Sequence, residues 1–297
     1  RLTLENAPAV VEICTRLDGI PLAIELAAAR VKVLPVEQIA ARLTSAIGAR
    51  FDLLTQGSRT ALPRQQTLRA AIDWSYDLLD DAERLLFRQV AIFRGGFTLD
   101  AIEQISDFGT ESARPVIPYP QSPIPNLLDL LTQLVDKSLV IVEQQGDQNR
   151  YRLLETLREY ALAQATTAER NGFQQRHAAF FLRLAEQAAP ELMRADQQLW
   201  QSRLETEHPN LRAALGYLLA ADDGEMALRL ATALQRFWDN RGYVHEGRDW
   251  LKKALAKRGS ATIEIQAQAL NAAGWLTYRQ GDLTQARLAI EESLQLF

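Results

Sequence analysis

Residues 267–297 read AQALNAAGWLTYRQGDLTQARLAIEESLQLF. Apolar residues recur at helical spacing on both sides of Gly281-Asp282, which predicts helices over 262–279 and 283–297. The turn falls at Gly281 because glycine takes the left-handed backbone that ends a helix without steric cost. Gly274 marks a place where two helices cross so closely that a side chain would obstruct. Ala286 is the small residue at the second close crossing, and Ile290 and Leu294 are the apolar knobs that follow. A shift of 39 residues toward the N-terminus gives a degenerate copy. Gly242 aligns with Gly281, Gly247 with Ala286, Leu251 with Ile290 and Leu255 with Leu294. A helical hairpin of this length cannot bury its apolar face alone, so the pattern predicts hairpins stacked in an array.

The pattern resembles the tetratricopeptide repeat, whose units are helix–turn–helix hairpins. Such arrays need about three units for stability. Two are visible, so the array is expected to continue beyond Phe297. Concave repeat surfaces take ligands and peptides. The aromatic residues Trp238, Tyr243, Trp275 and Tyr278 are the candidates for such a surface, although aromatics at helical spacing are more often core.

Outward from the repeats, the chain remains helical back to Glu155, with helices predicted over 173–189, 197–207, 209–219, 224–240 and 244–257. The one β signal precedes these. Strands are predicted over 139–143 and from Tyr151, around a Gly146-Asp147 turn. Before them come a helix over 126–136, a short helix after Thr98, a helix capped by Asp80-Asp81 and one starting near Thr67. Helices followed by a strand–turn–strand give the order of a winged helix. Five of the 11 prolines, from Pro115 to Pro125, lie in a single stretch that reads as a surface loop. Three short helices, 7–17, 21–29 and 36–43, open the chain as a small bundle, with a linker over 45–62. The predicted organisation is thus mainly α: a helical domain over 1–60, a winged helix over 61–165, a helical linker over 166–223 and tetratricopeptide-like repeats over 224–297.

The 297 residues suit several small domains rather than one core. A net charge of −4 gives no general attraction to nucleic acid or anionic membrane. No apolar run approaches membrane-spanning length. The lone cysteine, Cys14, cannot form an internal disulfide, which fits a cytoplasmic location. Neither Arg1 nor Phe297 reads as a natural terminus. None of the five lysines follows a glycine, so no phosphate-cradling Gly-Lys-Ser/Thr loop is present. His177, His208 and His245 lie far apart and predict packing or surface roles rather than a metal site. Cys14 sits on the apolar face of its helix, and the acidic pairs Asp80-Asp81 and Asp222-Asp223 read as helix caps. No catalytic group is identified, and no cofactor is expected in this chain by itself.

A second resemblance is broader. Gly19-Ile20-Pro21-Leu22, followed by Ala23-Ile24-Glu25-Leu26, is similar to the GxP motif of STAND-type (NB-ARC-like) nucleotide switches. Thr67–Tyr76, Leu85-Leu86-Phe87, Gly95-Gly96-Phe97-Thr98, Leu134–Leu139 and Arg150–Ala161 resemble the winged helix of the same family. Glu207–Leu215 resembles the linker to the repeats in its bacterial members. The resemblance covers Val11 to about Ala165. It implies that Pro21, flanked by Gly19 and Leu22, lies against the adenine ring of ADP or ATP held with Mg by an ATPase core upstream of Arg1. It implies a switch in which the helical domains pack on that core in cis and the repeats receive an inducer, peptide or protein partner. One departure stands at Leu153-Leu154-Glu155, where many members carry Met-His-Asp. Leu154 cannot donate the histidine's hydrogen bond to the β-phosphate, which leaves nucleotide sensing at Leu154 and Glu155 in question. Two other readings stay open. One is a DNA-binding regulator acting through the winged helix. Its candidate helix, 126–137, is leucine-rich with two acids and one base, so DNA contact is disfavoured. The other is a helical scaffold without switching.

Overall fold

The computed structural model describes residues 6–17, 19, 24, 27–28, 31, 34–45, 68–106, 126–145 and 148–296. The fold is mainly α, with one two-stranded antiparallel hairpin among the described residues. By their contacts these residues form two compact units, the first from Arg1–Ile92 and Gly96–Arg170, the second from Phe93–Gly95 and Asn171–Phe297.

In the first unit, helix α1 (Ala7–Arg16) packs on α2 (Val36–Ser45) through Ile13, Leu17, Ile39 and Leu43. The proposed helix over 21–29 and the linker over 45–62 lie almost wholly outside the described residues. So do the proline-rich stretch and the tip of the hairpin turn. The winged helix follows as α3 (Leu68–Asp77), α4 (Asp81–Val90), α5 (Leu99–Ile105), α6 (Leu127–Asp136), β1 (Ile141–Gln145), β2 (Gln148–Arg152) and α7 (Glu155–Gln164). Asp80 and Glu83 close a reciprocal capping box at the start of α4. Glu83 is buried, and its second carboxylate oxygen accepts from the Lys137 ammonium at the end of α6. The Lys137 motif position is therefore a tie between the two helices that frame this core. Lys137→Met leaves a buried carboxylate oxygen unpaired. The expected cost is about 1–3 kcal/mol, read as a lower urea midpoint with unchanged slope.

The strand begins two residues later than the sequence suggests. Ser138 takes a positive φ of 57°, and Leu139 and Val140 both give their N–H groups to the Leu134 carbonyl. That closes the end of α6 and drops Leu139 and Val140 into the core before pairing starts at Ile141↔Arg152. Phe97 adds a bridge to Tyr151. Gly96, at φ +94°, lies where a Cβ would approach the Tyr151 carbonyl oxygen to 2.7 Å, so only glycine lets Phe97 pair there. Arg150 reinforces the same corner by donating to the Gly96 carbonyl.

The second unit contains most of α8 (Thr167–Glu191), followed by α9 (Gln197–Ala220), α10 (Gly224–Ala233), α11 (Gln235–Arg241), α12 (Val244–Leu255), α13 (Ile263–Arg279) and α14 (Leu283–Leu296). Several predicted boundaries differ, α8 for one starting at Thr167 rather than at 173. Pro209 does not break the chain into two helices, because α9 runs straight through it. Proline inside a helix removes one hydrogen bond and costs about 3 kcal/mol. Here Leu204, His208, Asn210 and Leu211 are buried on both sides of it, and that packing offsets the loss. The predicted helix over 224–240 is instead two short helices that meet at Leu234.

The stacked hairpins are present with their turns and close crossings where the sequence places them, but Leu294 is corrected: at 68% exposed it is no packing knob, and Ser293 is the buried residue beside it. Gly242 and Gly281 both adopt left-handed backbone, at φ +77° and +84°. A Cβ on Gly274 would lie 2.7 Å from Ile290 Cγ1 and 3.2 Å from the Ala286 carbonyl oxygen. One on Gly247 would lie 2.5 Å from Trp238 Cε3 and 2.8 Å from Leu276 Cδ1. Ser293 on α14 donates to the Ala267 carbonyl on α13 at 2.7 Å, fixing the second hairpin's helices against each other.

Candidate functional site

Helix α13 buries a face of small residues, among them Ala269, Ala273 and Gly274, against its neighbours. Small side chains allow close approach, and the opposite face is left to solvent. Glu264, Gln268, Asn271, Trp275, Tyr278 and Arg279 are all exposed there at i, i+3 and i+4 spacing, a stripe about one quarter of the helix wide. Trp275 is 42% exposed and Tyr278 53%, with ring centroids 6.0 Å apart. The two adjacent rings make a small contiguous apolar patch on an otherwise polar stripe.

The stripe is braced from α11. Asp239 accepts from Trp275 Nε1 at 2.8 Å on one carboxylate oxygen and from Arg279 Nε at 2.6 Å on the other. Its side chain is only 13% exposed, whereas the Arg279 side chain is 50% exposed. One carboxylate thus fixes the indole and the guanidinium together.

A second polar assembly joins α9 to the first hairpin. Glu246 accepts from Arg212 through Nε at 2.6 Å and through Nη2, and from Trp250 Nε1 at 3.2 Å. His208 Nε2 stands 3.2 Å from the same carboxylate. Burial works against the Glu246 charge, but the Arg212 hydrogen bonds and the neighbouring His208 outweigh it and hold its carboxyl below the ordinary value. Burial depresses His208. Tyr243 donates to Glu205 at 2.7 Å, and Arg241 faces the same carboxylate at 3.3 Å.

The predicted site residues therefore separate. Trp275 and Tyr278 share one surface. Tyr243 is half-buried in the α9 seam, tilted against His208 at 4.7 Å. Trp238 is corrected: at 1% exposed it lies beneath Gly247 as core and lines no surface. Gly19 is exposed with φ +68°, while Pro21 and Leu22 lie outside the described residues. Leu154 is the N-cap of α7 in extended conformation and contributes no side-chain cap. Glu155 accepts from Arg158 at 2.6 and 2.7 Å, and Arg158 also donates to the Ala91 carbonyl.

Sequence reasoning missed the role of Asn210 and the setting of His177. Asn210 is fully buried. Its Oδ1 accepts from Arg94 N at 2.6 Å and its Nδ2 donates to Glu207 at 2.7 Å. His177 lies buried against Phe181 and Phe93, at 4.6 and 5.3 Å between ring centroids. The signal available was Glu207–Asn210, which interrupts an apolar helix pattern with three polar residues and a proline. Among the described residues no group of three metal-ligating side chains converges, and no helix is long and apolar enough to cross a membrane.

No protein-family model matches the chain. It is 41% identical over 271 residues to Rv0890c of Mycobacterium tuberculosis strain H37Rv, a protein named as a candidate HTH-type transcriptional regulator. The match covers 89% of this chain and 29% of the relative. A Mycobacterium bovis protein of the same description matches equally. The uncharacterised protein Rv0894 of Mycobacterium tuberculosis is 39% identical over 163 residues, 54% of this chain and 37% of that one. The chain thus spans about a third or less of the length of these relatives. Among solved structures, a STAND protein with a tetratricopeptide repeat sensor from Pyrococcus horikoshii aligns over 92% of this chain and 40% of its own. The identity is 16% and the TM-score 0.35.

Proposed function

We propose that the chain is the regulatory and sensor part of a STAND-type signalling switch. The helical domain and the winged helix pack on a nucleotide-binding core in cis, and the repeats take a protein or peptide partner. The observation that carries the reading is the braced aromatic stripe of α13 on a tetratricopeptide-like hairpin, in a chain whose first unit contains a winged helix. In this reading ADP or ATP with Mg belongs to the core, and Gly19, Pro21 and Leu22 supply one edge of its pocket. Partner binding shifts the switch by no more than its differential affinity for the two states. The names of the mycobacterial relatives support transcription as the output of the whole protein.

Those names also favour a second reading, in which the winged helix itself contacts DNA. The exposed face of α6 argues against it. That face consists of Leu128, Asp129, Thr132, Gln133 and Asp136, and the one base beside it, Lys137 at the C-cap, is held by Glu83, so two acids face phosphate without a free base. One pair of titrations separates the readings. The chain alone is expected to bind MgADP no tighter than high micromolar in calorimetry, since one wall of a pocket gives little affinity. It is expected to give no salt-sensitive shift of duplex DNA. Sub-micromolar nucleotide binding would defeat the division of labour between core and chain, and tight salt-sensitive DNA binding would put the second reading first.

A further inference from the structure

The α13 stripe holds an arginine in a form suited to carboxylate recognition. Arg279 spends Nε on Asp239, and its terminal nitrogens make no hydrogen bond among the described residues. A guanidinium held at Nε and free at its fork loses little rotamer freedom when it receives a planar, bidentate acceptor. Asp239 is itself mostly buried, so the brace is not competed away by water. The same carboxylate holds the Trp275 indole, with Tyr278 beside it, so that a cationic fork and a half-exposed aromatic pair are presented as one rigid unit. Arg236 is exposed one turn before Asp239 on the same side of α11 and has no acidic partner among the described residues. Asp239 offsets the Arg279 charge, so Arg236, one turn from Asp239 on the same helix, supplies the single net positive charge of the spot.

We propose that this surface takes an acidic peptide segment of a partner protein. A carboxylate sits in the Arg279 fork and a neighbouring apolar side chain lies on Trp275 and Tyr278. The proposal rests on the reading of the repeats as a partner-binding array and assigns its ligand class. Asp239 is then a positioning residue, because it touches the arginine and the indole rather than the peptide.

The test is selection of random dodecapeptides displayed on phage against the immobilised chain. Enriched peptides are then titrated into wild type, Arg279→Gln and Arg279→Lys. Arg279 is half exposed, and equal melting temperatures for the three proteins show that the fold is intact. The expected result is enrichment of Asp or Glu beside an apolar residue, with affinity lowered at least tenfold by Arg279→Gln or by Gln in place of the peptide carboxylate. Lysine, a point charge without the fork, restores affinity only in part. Enriched peptides that bind wild type and Arg279→Gln equally, or that carry no acidic consensus, overturn the proposal while leaving the repeats as a partner-binding array. If no peptide is enriched above the bare support, both the ligand class and the partner-binding reading fall.

Discussion

Gly247→Val is expected to lower the stability of the second unit by about 3 kcal/mol, the upper part of the range for overpacking a tight core. A Cβ at this position meets Trp238 Cε3 at 2.5 Å and Leu276 Cδ1 at 2.8 Å, before valine's two methyl groups are added. The Trp238 ring cannot yield, and Leu276, though rotatable, has no open space to turn into. Trp238 is fully buried beneath the crossing of α11 and α12, and Leu276 belongs to α13, whose far side carries the braced stripe. Relief would have to come from separating α12 from α13, which exposes Leu251 and Leu276 to water at about 25 cal/mol per Å². For a unit of this size the melting temperature should fall by about 10 °C. Gly216→Ala is the matched control. It too replaces a helical glycine, but its Cβ enters open space, so helix propensity alone predicts a gain of about 0.5–1 kcal/mol. A Gly247→Val melt within 2 °C of wild type would mean that the hairpins do not cross as closely as the register requires.

That register was legible in the sequence because it is carried by residues whose physics admits few substitutes. Gly242 and Gly281 are needed for left-handed backbone, and Gly247, Gly274 and Ala286 for contact distance. The capping box at Asp80 and Glu83 was legible for the same reason, since its spacing is local. What the sequence did not disclose depends on partners distant in the chain. Trp238 and Trp275 look alike in a helical pattern, but only the placement of α12 decides that one is core and the other half-exposed. Pro209 carries a strong helix-breaking signal, which the burial of the residues around it overrides. Asp239 and Arg279 are forty residues apart, and no local rule joins them. The candidate site was thus readable as a set of aromatic side chains, whereas the carboxylate that organises two of them was not.

Acidification should destabilise the second unit through His177. The imidazole is buried between Phe93 and Phe181, and its closest polar contact, Asn210 Oδ1, is 3.5 Å away. Loss of hydration pushes its pKa down from 6.5 to about 4, with the Asn210 contact opposing only weakly. A histidine depressed in the folded state is neutral there while the unfolded chain takes up its proton. Stability is therefore full above pH 6.5 and declines as the pH falls toward 4, where the loss levels at about 3 kcal/mol. Burial is nearly complete, so solvent screening does not reduce the figure. His208 is depressed by burial as well and adds to the same trend. Acidic groups held low, such as Glu246, contribute only nearer the carboxylate range. Urea unfolding between pH 7 and pH 5 isolates the histidine contribution, and His177→Phe keeps an aromatic ring in place. The variant costs about 1–2 kcal/mol at neutral pH through its extra volume, so the slope with pH, not the absolute stability, is the readout. Wild type should lose about 2 kcal/mol over that interval and His177→Phe clearly less. Parallel slopes would show that the proton goes elsewhere. The buried ring would then be only a packing element between α8 and the Phe93–Gly95 segment that Asn210 holds through the Arg94 N–H.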